Sequence, residues 1–195
     1  TSRRRAGAAA AVVAVIASGL VLLVAPPAGA GTAQPTAHID LAATAFIGDA
    51  VSFTVSFDNA ATAGAGYGPY VDLWLPTTGA DGAGAEADDG LTFTSADHRG
   101  VPADATVVPI TDCDGGEVHP LTGEAVQCPA GATAGDQLVV VDLGDGGFSA
   151  TRAPAVIAVT AQLSSDADLG SALTVSARAG FRHGFLQRRQ PVRRP

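Results

Sequence analysis

The chain of 195 residues predicts an all-β domain built as an antiparallel β-sandwich, and three observations carry that prediction. After residue 35 the large apolar residues recur with period two. Clusters of Gly, Pro, Asp and Ala separate these stretches at short intervals. No stretch after residue 30 keeps a 3.6-residue apolar period with helix caps. Short strands with one apolar and one polar face hide their apolar sides by stacking two sheets face to face. A closed barrel is the second architecture compatible with the pattern.

Taken in order, residues 1–30 read as a secretory signal helix. Arg3, Arg4 and Arg5 precede an uncharged apolar run from Ala6 to Val24, followed by Pro26, Pro27 and the small-residue site Ala28-Gly29-Ala30. Cleavage is expected after Ala30. A run of about 18 apolar residues also approaches the length of a membrane span, which is the competing reading and the one way this chain would touch a membrane. Residues 31–35 form a flexible leader, residues 36–181 the sandwich domain, and residues 182–195 a basic, disordered tail.

Within the domain, Val51, Phe53, Val55 and Phe57 alternate with Ser52, Thr54 and Ser56, the signature of a half-buried strand. Val71, Leu73 and Leu75 alternate with Tyr70, Asp72 and Trp74. Further stripes run through Leu91 and Phe93, Val139 to Leu143, Ala155 to Leu163, and Leu173 to Val175. His38 to Ala42 and Thr106 to Thr111 are weaker strands, giving about eight in an immunoglobulin-like arrangement. Ala60 to Gly68 and Thr77 to Gly90 read as loops.

Charge divides the chain into blocks. All eleven cationic side chains are Arg, so Schiff-base chemistry, Walker-type phosphate binding and lysine isopeptide cross-links are excluded. Residues 32–177 hold all nineteen acids and two Arg, a block of charge −17 between a basic start and a basic end. Such a body repels phosphate backbones, so no nucleic-acid partner is expected.

Cys113 and Cys128 form an even pair in an exported chain and are predicted to make a disulfide. A catalytic thiol is the sharper alternative, and a metal site would need more ligands than nearby His119. No nucleophile elbow, zinc-protease or phosphate-loop motif occurs, and His38, His98, His119 and His183 are scattered. No catalytic residue is therefore assigned.

Asp112, Asp114 and Glu117 are candidate calcium ligands, because alternating carboxylates in a Gly-rich turn suit a hard cation; Asp81, Glu86, Asp88 and Asp89 crowd a second loop. The plainer reading is that these acids serve turn geometry and solubility, with no cofactor bound. Tyr67, Tyr70 and Trp74 are candidate ligand-binding residues. The parity of Trp74 sets it opposite Val71, Leu73 and Leu75, so it either covers an end of the sandwich or joins Tyr70 in an exposed strip for a sugar or a neighbouring domain.

The stretches Asp49 to Asn59, Gly66 to Pro76 and Gly135 to Val140 resemble the N-terminal region of large, repetitive secreted surface proteins of high-GC bacteria. Those proteins carry tandem immunoglobulin-like conserved repeats related to adhesin and fimbrial modules. The resemblance covers most of Thr36 to Phe181 and implies a non-catalytic β-sandwich in an extracellular scaffold, with neighbouring repeats, cell-wall polymers or glycans as partners. Lysine–asparagine cross-links found in some relatives do not transfer, since the chain has Asn59 and no Lys. The change from acidic strands to an Arg-rich tail departs from the repeat pattern. It suggests a truncated or frameshifted reading of a longer gene, or a basic tail that docks on the acidic body or on anionic wall polymers. A carbohydrate-binding module is the alternative function, and a secreted hydrolase the third.

Overall fold

The computed structural model describes residues 33–42, 44–82 and 88–183. The signal segment, Glu86 and residues 184–195 of the tail lie outside them. Ten strands form: β1 (Pro35–Asp40), β2 (Ala50–Asn59), β3 (Ala65–Leu75), β4 (Leu91–His98), β5 (Val101–Pro102), β6 (Asp104–Pro109), β7 (Gln137–Asp142), β8 (Gly147–Ser149), β9 (Ala155–Leu163) and β10 (Ser176–His183). The described residues contain no helix. One sheet has the order β1-β2-β9-β4-β5 and the other β10-β3-β7-β6, with β8 paired to the start of β3. Every pairing is antiparallel, and the two sheets stack as a β-sandwich.

Period-two alternation decides which side chains are inside. On β2, Val51, Phe53, Val55 and Phe57 lie opposite Ala161, Val159, Ile157 and Ala155 of β9, and all eight are buried. Val71, Leu73, Leu75, Val139 and Val141 face them from the second sheet and complete the core. The Phe57 ring meets Phe148 edge-on at 4.9 Å and Phe181 at 5.3 Å. Gly66 lies beneath Phe181, where any Cβ would run into the ring.

Four elements differ from the sequence expectation. The stripe Leu173–Val175 is a half-buried approach to β10, which itself occupies Ser176–His183. The pairing of Ala177 with Leu73 and Ala179 with Val71 uses residues too small to register as an apolar stripe. β10 also carries Arg182 and His183, two residues placed in the basic tail by composition, into the sheet. β3 starts at Ala65, inside the stretch read as a loop: Gly68 takes φ +62° within the strand, and Ala65 to Tyr67 pair with β8 while Tyr67 also lies opposite His183 of β10. β5 and β8, of two and three residues, are too short to show a period.

The register also places the outer ends of the first and last strands. β1 begins opposite the end of β2 (Pro35 with Asn59), and β10 ends opposite the start of β3 (His183 with Tyr67). The short turn 60–64 joins those two points, so Pro35 and His183 sit at one pole of the sandwich. The connections 41–49 and 164–175 occupy the other pole.

Candidate functional site

The outer face of the β3 sheet is covered rather than open. The connection from β6 to β7, Ile110 to Asp136, folds back over it as a lid. Outward-facing Tyr70, Trp74, Leu138 and Val140 meet Ile110 and Val126 of the lid in a second apolar cluster, separate from the main core. This explains why β7 is buried at four consecutive positions: Val139 and Val141 face the first core, Leu138 and Val140 the second. Cys113 and Cys128 are joined across the lid with their Cα atoms 5.4 Å apart, as their pairing predicted.

Asp72 sits at the centre of the covered face with no exposed surface. His119, on the lid, donates from Nε2 to Asp72 Oδ1 at 2.8 Å. The backbone N–H groups of Leu121 and Thr122 donate to Nδ1 at 3.2 and 3.1 Å, which assigns the ring proton to Nε2. Arg178, directly across the strand pair on β10, donates Nε and Nη2 to Asp72 Oδ2 at 3.2 and 2.9 Å. Its half-exposed guanidinium lies 5.1 Å from the centre of the Trp74 ring. Burial, with the Asp72 charge adding to it, pushes the Tyr70 hydroxyl above the usual phenol range.

Tyr70 and Trp74 thus stand on one face, as the alternation of β3 requires, but beneath the lid: they are 8% and 4% exposed. An accessible strip does not form, because the lid rather than solvent meets that face. Tyr67 lies apart from them near β8, with its ring against Gly147, and is half-buried. The sequence pointed to Trp74 through its parity. It did not single out Asp72, His119 and Arg178 as a group, since 47 and 106 residues separate the partners along the chain.

The candidate calcium residues come together in one turn at the start of the lid. The Thr111 hydroxyl and backbone N–H and the Asp112 N–H all donate to Glu117 Oε1. The Thr111 hydroxyl leads in holding the Glu117 carboxyl below its ordinary range. Asp112 Oδ1 accepts from Asp114 N–H at 3.0 Å and Gly116 N–H at 3.3 Å, while Asp114 is exposed. Two of the three carboxylates are therefore engaged in shaping the turn. In the second acidic loop Asp89 is buried, and Asp81 and Asp88 are exposed. Among the described residues no group of three His, Cys, Asp or Glu side chains is gathered as a metal would require.

The pole opposite Pro35 and His183 carries a cleft of about 810 Å³, lined by Leu41, Val51, Leu91, Leu163 and Leu173 with Asp168 beside them. Phe46 and Leu169, also on its wall, are 81% and 92% exposed. No family model matches the sequence, and no curated protein matches it.

Proposed function

We propose that the protein is an extracellular structural or adhesion module of the cell surface, without catalytic activity. The observation that supports this best is the closure of its buried polar group. In Asp72, His119 and Arg178 both ring nitrogens and both carboxylate oxygens have partners within the protein. The His119 ring has no free nitrogen to take a proton from a hydroxyl or water, which general-base catalysis would need. The disulfide and the strongly acidic body fit an exported chain. The burial of Trp74 weighs against the carbohydrate-binding alternative, which needs an open aromatic face.

Incubating the purified protein with isolated cell-wall material, a glycan panel and chromogenic ester, glycoside and peptide substrates tests the reading. Saturable binding to wall material without turnover is the expected result. Turnover of any substrate, or absence of binding to every surface tried, would overturn it.

A further inference from the structure

We propose that the lid is a separately unfolding cover whose closure depends on the Cys113–Cys128 bond, and that reducing this bond uncovers Tyr70, Asp72 and Trp74 while the sandwich stays folded. The two apolar clusters lie on opposite faces of the β3 sheet and share no buried residue. Opening the lid removes the second and leaves the first whole, the condition for a local unfolding unit.

Beyond its base the lid's backbone bonds are all local: His119 N–H donates to Glu124 O, Gly123 N–H to His119 O, Val126 N–H to Glu117 O and Ala132 N–H to Pro129 O. Its strand-like pairing is the single bridge between Val118 and Ala125. At its base Ile110 N–H donates to Asp136 O at 2.9 Å and Gly135 N–H to Ile110 O at 2.7 Å, so the two limbs are fixed where they join β6 and β7. Beyond that base the apolar contacts come from Val126 and from half-buried Leu121 and Ala132, together with the two cysteines. His119 is the one polar tie from the middle of the lid to the sheet, through Asp72 Oδ1 at 2.8 Å, and the cross-link holds the limbs close enough for it to form, since a closed loop has far fewer open conformations than a free one.

Reduction is ordinary thiol–disulfide exchange with a dithiol. One thiolate of the reagent attacks a cysteine sulfur and displaces the other cysteine as its thiolate, which takes up a proton. The second reagent thiol then attacks the mixed disulfide and releases the first cysteine. The electron pair passes from the dithiol, which becomes a disulfide, to the protein, which gains two thiols. The face then open to solvent carries Tyr70 and Trp74 on either side of the Asp72–Arg178 pair.

Trp74 is the sole tryptophan of the chain, so its fluorescence reports the lid directly. Treating the full chain with dithiothreitol, with both thiols counted by alkylation, is expected to shift the emission to the red. Acrylamide quenching should rise several-fold, while the far-ultraviolet dichroism and the cooperative melt persist. A Trp74 that stays shielded with both thiols free overturns the dependence on the bond. Loss of the melt together with the shielding overturns the independence of the lid. Should the bond resist reduction, the Cys113→Ser/Cys128→Ser chain provides the same measurement, with the same results deciding.

Discussion

Asp72 shows how one residue type serves different purposes by position. Most of the acids among the described residues lie at the surface, whereas Asp72 is fully covered and held by His119 and Arg178. Replacing it by Ala leaves the Arg178 and His119 donors facing an apolar gap. The expected loss is about 2–3 kcal/mol in urea unfolding, below the fully buried case because Arg178 is half-open to water. Gly180 is a second such position: it pairs with Tyr70 across the strands, and a Cβ there would strike the phenol ring. Gly180→Ala is expected to destabilise by roughly 1–3 kcal/mol, readable as a lowered melting temperature. Glu117 gives a pH test. Its carboxyl is lowered in the folded chain, so the folded state favours the carboxylate. That stabilisation is fully present above the ordinary glutamate range and is lost as pH falls from there through the lower range of the folded chain. Thr111→Val removes the leading donor, and the Glu117 titration followed by carbon-13 NMR should move upward. These residues were only partly legible in the sequence. The parity of Trp74 set it correctly against Val71 and Leu73, but nothing local revealed that a segment beginning as far along the chain as Ile110 would cover it.

At the level of elements, the strands visible in the sequence are those with large alternating side chains. β2 and β9 follow their stripes closely, because each has one face on the core and one in solvent. β10 escaped notice because Ala177, Ala179 and Gly180 line a sheet whose bulk comes from its neighbours. The lid escaped for a different reason: its anchors, Ile110, Val126 and the cystine, are spread through Gly- and Thr-rich sequence without a period. The central packing element is the aromatic triple Phe57, Phe148 and Phe181, which binds β2, β8 and β10 together. Phe57→Ala should cost about 3–5 kcal/mol in equilibrium unfolding, the range for a fully buried ring. The fluorescence of Trp74 in that variant should remain blue-shifted in the folded state, since its ring belongs to the other cluster.

Over the whole molecule, charge dominates. The described residues carry eighteen acids against four Arg, and two of those Arg, Arg178 and Arg182, are tied to specific carboxylates. Self-repulsion of this size is screened by salt. The melting temperature is expected to rise by a few degrees between low ionic strength and about 0.15 M sodium chloride, where the Debye length falls to about 8 Å. A flat or falling response in a melting series would show that local pairs outweigh the net charge. The placement of Pro35 and His183 at one pole has a mechanical consequence. A pull applied between them draws β1 off β2 and β10 off β3 one hydrogen bond after another, rather than shearing whole ladders at once. Held in series by these two points, the domain would yield at low force, paying out chain as an extensible spacer rather than bearing load as a rigid rod.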